Sequence, residues 1–372
     1  MGQTAVIILG GGLAGLTSAL HLTRAGVACA VIERKRYPFH RVCGEYVSNE
    51  VLPYLNELQV DPFELGPSRI SRFQLTSTNG RSVTMPLDLG GFGISRFAFD
   101  YFLYQKAVSA GVTFYLESEV KKVVFGRDEF LVETEKESLT SPVVIGAFGK
   151  RSHIDYQLSR KFLQRRSPYV GVKYHIHLQG LPNDLIALHN FELGYCGISH
   201  VENNKLNLCY LTHRDHLRRY RSVKAMEEQI LSQNPFLKSI LHDSEFLTEA
   251  ETINEITFEP KSPVEQHILM AGDAAGMITP LCGNGMAMAI HGAKIVSEHV
   301  MKFLNQSGYS RQQMESDYAK ALKQQFARRL WIGRRVQRLF GSSTASNFAV
   351  DLARHLPAAA NWMMHHTHGK PF

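Results

Sequence analysis

Ala5-Val6-Ile7-Ile8-Leu9-Gly10-Gly11-Gly12-Leu13-Ala14-Gly15 is the stretch that decides the fold. Five apolar residues read as a buried strand, three glycines break it, and Leu16 to Ala25 continues with helical character. That is the strand, turn and helix order of a dinucleotide-binding unit. Gly10 permits the tight turn, Gly12 lets the backbone approach a pyrophosphate, and Gly15 lets the helix pack on the strand. Leu13 and Ala14 fall at the helix start, where unpaired amides face negative charge. A second apolar run, Val27 to Ile32, ends in Glu33, about twenty residues past the glycines, where a carboxylate accepts hydrogen bonds from ribose hydroxyls. Glu33 and the adjoining Arg34 are therefore expected at an adenosine end without a 2′-phosphate, as in FAD or NAD.

The chain has 372 residues, 44% of them apolar, enough for about two domains with sizeable cores. Its five cysteines, Cys29, Cys43, Cys196, Cys209 and Cys282, show neither a CxxC pair nor metal-ligand spacing, which suits a reducing compartment and no bound metal. The apolar start lacks the basic region of a signal peptide. No other stretch approaches the roughly 20 apolar residues of a membrane span. A cytoplasmic protein is expected.

Past Glu33, the polar segment Lys35 to Ser48 reads as a loop entering the site. Residues 69 to 85 alternate around the turn signal Asn79-Gly80, a hairpin that leaves the nucleotide domain. Helical periodicity from Arg96 to Ala110 precedes strands near 113–116, 119–125 and 130–133 and a buried strand at 142–147. From Tyr169 to Leu178, strict alternation puts Val170, Val172, Tyr174, Ile176 and Leu178 on one face, and strands at 185–191, 195–201 and 205–211 complete an antiparallel sheet. A helix over Ser222 to Leu241 and strands at 252–258 and 267–271 lead back to the nucleotide domain at Gly272-Asp273-Ala274-Ala275-Gly276.

Four segments carry a family likeness: Gly10 to Gly15 with Glu33; Arg41-Val42-Cys43-Gly44-Glu45; Gly93-Ile94-Ser95-Arg96 with Asp100; and Gly272 to Gly276 followed by Pro280 and Gly283-Asn284-Gly285-Met286. In this order and spacing the sequence resembles the FAD-dependent oxidoreductases of the aromatic hydroxylase superfamily, and within it the geranylgeranyl reductase-like branch. The resemblance implies that Gly272 and Asp273 meet the ribityl hydroxyls. It implies that Pro280 and the Gly283-Asn284-Gly285-Met286 turn bring the next helix to the flavin pyrimidine edge. Arg41 and Arg96 would be cofactor-contacting cations, Cys43 and Gly44 would line the isoalloxazine pocket, and the Val120 backbone would meet adenine. A reduced flavin carries negative charge near N1 and the C2 carbonyl, so backbone donors and a helix dipole there stabilise it. Taken alone, Arg96 and Asp100 would read as an exposed i, i+4 ion pair worth a few tenths of a kcal/mol. Cys43 is expected to be a small lining residue and not a nucleophile.

The expected class is α/β: a discontinuous Rossmann-type FAD-binding domain (residues 1–68, 92–165 and 260–305), an inserted antiparallel β-sheet substrate domain (69–91 and 166–259) and a C-terminal helical region (306–372). Two departures bear on the reaction. Phe148 stands where the family often has the Asp of an Asp-Gly pair, a contact for pyridine nucleotide. Gly194-Tyr195-Cys196-Gly197-Ile198-Ser199 lies where prenyl reductases and halogenases show tryptophan, and the two tryptophans here are Trp331 and Trp362. Halogenation is not expected. The reading is an FAD-dependent oxidoreductase, fed by NAD(P)H, acting on a hydrophobic small molecule. Hydroxylation of an aromatic or polyketide-like substrate stands slightly ahead of C=C reduction in a prenyl lipid, and a flavin-binding electron carrier comes third. Tyr174, His175, His177, His189 and Tyr195 are acid/base candidates by type, but each reads first as a packed or surface residue, and no catalytic base is assigned.

Most of the net charge of +7 collects in residues 310–340, where Arg311, Lys320, Lys323, Arg328, Arg329, Arg334, Arg335 and Arg338 face only Glu315 and Asp317. Leu322, Phe326, Leu330, Val336 and Phe340 recur there at helical spacing. Such a basic amphipathic helix either lies on an anionic membrane surface or packs its apolar stripe on the nucleotide domain, and the second is favoured. No nucleic-acid motif accompanies the charge, so nucleic acid is not an expected partner. His365-His366-Thr367-His368 reads as a tail. The oligomeric state stays open.

Overall fold

In a computed structural model, residues 2–277, 279, 283–339, 343–355 and 369–372 are described. Strand β1 (Val6–Leu9) is wholly buried and runs parallel to β2 (Cys29–Glu33), with helix α1 (Leu13–Arg24) crossing between them. Thr113–Leu116 extends the sheet beyond β2, and Val143–Gly146 then Ile268–Met270 extend it beyond β1. The strand that precedes Gly272 thus returns to the sheet that Val6 began. Both faces are covered, which is why these strands read as unbroken apolar runs. Val6 and Ile8 point into a helical layer, and Ile7 and Leu9 point to a small sheet built from residues 120–141.

Helix α2 (Arg96–Ser109) starts where the sequence expects it, capped by Ser95. The hairpin Ser68–Thr76 and Ser82–Gly93 joins a second sheet with β3 (Tyr169–His177), Leu185–Phe191, Gly194–His200 and Leu206–His213. This sheet is mixed where an antiparallel one was expected. Leu185–Phe191 runs parallel to Ser68–Thr76 because the chain between them passes through the nucleotide domain instead of a hairpin turn. The apolar face of β3, with Val170, Val172, Tyr174 and Ile176, packs against helices as its alternation predicts.

Residues 222–241, expected as one helix, form two: Val223–Gln229 and α3 (Pro235–Asp243). Proline lacks the N–H and its ring clashes within a helix interior, so a continuous helix cannot pass Pro235. Instead the Asn234 side chain accepts the Phe236 N–H at 2.9 Å and starts a new helix. The strand expected at 252–258 is shorter, Glu251–Ile253.

Helix α4 (Gly285–Asn305) closes the segment expected in the nucleotide domain, and the described part of the region after it is helical: α5 (Arg311–Leu339) and α6 (Ser343–His355). Helix α5 lays Met314, Tyr318, Leu322 and Phe326 into the core of the nucleotide domain, which is the packing alternative. Two of its basic residues are internal. Arg311 donates to the Asp128 and Pro142 carbonyls, and Arg329 approaches the buried Glu50. The Val336 side chain, Phe340 and His365–His368 lie outside the described residues.

Candidate cofactor site

The glycine turn divides its steric duties. Gly10 has φ +103°, and a Cβ on it would lie 2.6 Å from the Ala147 carbonyl oxygen. A Cβ at Gly15 would overlap the Gly10 carbonyl. Gly12 differs: its φ is −86°, and a Cβ there would meet nothing nearer than Arg96 Nη2 at 3.6 Å, with the Arg41 guanidinium at 4.0 Å. Helix α1 begins at Leu13 with no side-chain cap and no acidic residue in its first turn. Open space faced by two guanidinium groups and uncapped helix amides is suited to a pyrophosphate, so these residues fit FAD.

Arg96 and Asp100 do not form an exposed pair. Arg96 grips Asp100 through two hydrogen bonds of 2.6 and 2.7 Å, and Asp100 is only 2% exposed. Arg41 reaches both Asp100 at 3.2 Å and Glu33 at 3.1 Å. Burial removes the solvent screening that weakens surface pairs. Glu33 also accepts the Gly11 N–H at 2.9 Å and the Lys35 N–H at 3.0 Å, which ties the carboxylate at the end of β2 to the glycine turn. The Ser118 N–H donates to the Glu33 carbonyl at 3.1 Å, bringing the buried Val120 near the same end. The Arg34 side chain is exposed, beside Glu119.

The second glycine segment packs directly on the first. Gly272 has φ +61°, and a Cβ on it would lie 3.0 Å from the Ala14 Cβ. Gly283, at φ +62°, precedes Asn284 and the start of α4, whose first turn contains no acidic residue. Met286 is buried against the cluster that contains Leu13. Pro280 lies outside the described residues. Cys43 is half-buried, and Gly44 is exposed.

Sequence reasoning missed the charges that join the two sheets. Glu45, in the loop after Cys43, is fully buried and accepts from Lys173 Nζ at 2.6 Å and from the Arg96 N–H at 2.9 Å, with His175 Nε2 at 2.7 Å. Lys173 also donates to the Arg41 carbonyl at 3.2 Å, and Asn207 to the Cys43 carbonyl at 3.2 Å. Three side chains of the second sheet therefore hold the 41–45 loop. Burial alone would raise the Glu45 pKa, but the His175 hydrogen bond and the Lys173 ammonium outweigh it and hold the carboxyl below its ordinary value. On the other side, Lys261 Nζ donates to the Lys150 and Asp273 carbonyls, both at 2.7 Å, and burial brings its pKa down to about 8.

Of the residues put forward by type, His175 joins this cluster. Tyr174 packs on the helical side, His189 pairs with Thr76 at 2.9 Å, and the Tyr195 hydroxyl donates to Gln337 at 3.3 Å. A hollow of about 710 Å³ lies elsewhere, between α3 and the end of β3, lined by Gln74, His177, His189, Phe236, Asp243 and Glu245. None of the residues expected at the cofactor borders it.

The FAD binding domain family matches residues 3–328 of the chain. A digeranylgeranylglycerophospholipid reductase of Methanococcus vannielii is 23% identical over 330 residues, which are 82% of this chain and 78% of that one. Conditioned medium factor receptor 1 of Dictyostelium discoideum is 23% identical over 353 residues, 83% of this chain, and the chain spans 66% of that longer protein. The crystal structure of a geranylgeranyl bacteriochlorophyll reductase-like protein from Thermoplasma acidophilum shares the fold, with a TM-score of 0.79 at 18% identity over 98% of this chain and 100% of that one. Two glycine turns packed on each other, two guanidinium groups beside the first of them, and a family match over most of the chain agree: the chain belongs to the FAD binding domain family and is an FAD-dependent oxidoreductase.

Proposed function

We propose that the protein reduces carbon–carbon double bonds in an extended apolar, prenyl-type substrate, with NAD(P)H as the electron donor. The observation that carries this reading is the apolar layer formed by Leu75, Leu188, Tyr195, Leu211, Ile256 and Met277 with Val350 of α6. Met277 directly follows the second glycine turn, so this layer adjoins the cofactor residues. Its side chains are buried, aliphatic or aromatic, and carry no formal charge, a setting that would keep water from a bond reacting beside it. FAD, when bound, supplies hydride chemistry, and the 41–45 loop held by Lys173, His175 and Asn207 supports it from the sheet side. The names of the prenyl reductase relatives support the same class.

Hydroxylation is the second reading, favoured by the tryptophan-free segment Gly194 to Ser199. Anaerobic incubation of FAD-loaded protein with NADPH and geranylgeranylated lipid separates the two. Reduction without oxygen yields a product heavier by two hydrogens per bond. A product that forms only in air and gains one oxygen atom overturns the reductase reading.

The same reading includes peripheral contact with an anionic membrane, the source of a prenyl lipid. Lys320, Arg328, Trp331 and Arg335 share one face of α5 by their spacing. Trp331 is 53% exposed under the Arg335 guanidinium, and Phe348 of α6 is 67% exposed. Basic and aromatic groups on one surface suit a bilayer interface. Among the described residues no helix is long and apolar enough to cross a membrane. The protein is expected to float with anionic vesicles at low salt, and a Trp331→Ala, Phe348→Ala double variant to stay behind. No flotation of the wild type overturns the membrane contact.

A further inference from the structure

Lys150 sits in the loop that follows Val143–Gly146, and its backbone is fixed. Lys261 bridges its carbonyl to that of Asp273, so this loop and the second glycine turn are tied together. Its side chain is not tied. Among the described residues the half-buried Lys150 ammonium donates no hydrogen bond and forms no ion pair. The ionisable groups that act on it are Asp273, Cys43, Cys209 and Arg96, with Lys261 beside them. They come from the glycine turns, the 41–45 loop, the second sheet and α2, which are the walls of the cofactor site. Burial lowers the Lys150 pKa, with Asp273 acting against it. Among the described residues nothing accepts from this ammonium, which leaves it available to a ligand bound between these walls.

We propose that Lys150 donates to the bound flavin and stabilises the negative charge that the ring acquires on reduction. Uptake of two electrons and one proton leaves the ring anionic, and an adjacent ammonium removes the need for a second proton. Replacing the lysine makes the ring harder to reduce and easier to protonate once reduced. This inference rests on FAD occupying the site but not on which substrate is reduced.

The test compares FAD-loaded wild type with the Lys150→Met and Lys150→Arg variants. Each is titrated anaerobically against a reference dye at several pH values while the visible spectrum is recorded. In Lys150→Met the preference for reduced over oxidised flavin is expected to fall about tenfold, which is about 30 mV for a two-electron couple. The pH at which uptake changes from two protons to one is expected to rise, and Lys150→Arg should keep both quantities near wild type. An unchanged potential and an unchanged crossover in Lys150→Met with flavin bound overturn the proposal. If Lys150→Met does not hold FAD, Lys150→Gln is measured by the same criteria. Wild-type protein that takes up no FAD would overturn the cofactor assignment itself, a result distinct from bound flavin with an unmoved potential.

Discussion

Gly12 and Gly15 lie three residues apart and have separable tasks. A methyl at Gly15 would press on the Gly10 carbonyl, and such overpacking costs about 1–3 kcal/mol. Gly15→Ala is therefore expected to unfold at lower temperature even without FAD. A methyl at Gly12 sits at an ordinary φ with its nearest neighbour 3.6 Å away, so Gly12→Ala should keep the stability of the apoprotein. It would still fill the space proposed for the pyrophosphate, and its FAD affinity should fall at least about tenfold, or about 1.4 kcal/mol. Thermal unfolding without cofactor and FAD fluorescence titration measure the two effects. Equal destabilisation of both variants would contradict the division.

At the scale of elements, Asn234 decides how α3 is fastened to the second sheet. Its carbonyl caps α3, and its amide donates to Thr76 Oγ1, the Ser77 carbonyl and the Asn190 carbonyl at 3.0–3.1 Å, all buried. Asn234→Ala removes a cap and strands buried acceptors, a loss of about 2–4 kcal/mol. Ser222, which caps the preceding helix by accepting the exposed Ala225 N–H, has only the cap to lose, about 1 kcal/mol. Urea unfolding of the two alanine variants should show this order, and a Ser222→Ala loss as large as that of Asn234→Ala would refute it. The helix expected over Ser222 to Leu241 ran through Pro235, a residue that breaks helices. The helical spacing of Leu237, Ile240 and Leu241 beyond it hid the break, because periodicity reports a face and not continuity.

For the whole molecule, burial pushes the pKa of His21, His189 and His291 down to about 4, with Lys294 acting against protonation of the first and Arg329 of the last. Each folded pKa lies below the ordinary 6.5, so in acid the unfolded chain takes up protons that the folded chain refuses. Stability is full above about pH 6.5 and is lost as pH falls toward about 4, with His189, the most buried of the three, contributing ~3 kcal/mol of the loss. Urea midpoints across that range should fall, and His189→Gln should flatten part of the decline. A wild-type profile that stays level would show that these rings protonate freely in the fold.

The sequence by itself determined what has local physical causes. Strand and helix periods, the φ demands of Gly10 and Gly272, the Ser95 cap and the order of the four segments all follow from neighbours a few residues away. The cofactor class was legible because those turns admit little else. The tertiary structure decided what covers each face. Alternation marks Lys173 and His175 as the polar side of a strand, which reads as solvent, yet a loop 128 residues away from Lys173 buries both against Glu45. Arg96 and Asp100 look like a weak surface pair until Arg41 and the glycine turn close over them. Lys150 gains its meaning only when Asp273, Cys43 and Cys209 meet around it. Propensity acts within a few residues, whereas burial and charge pairing depend on partners that only the folded chain brings within reach.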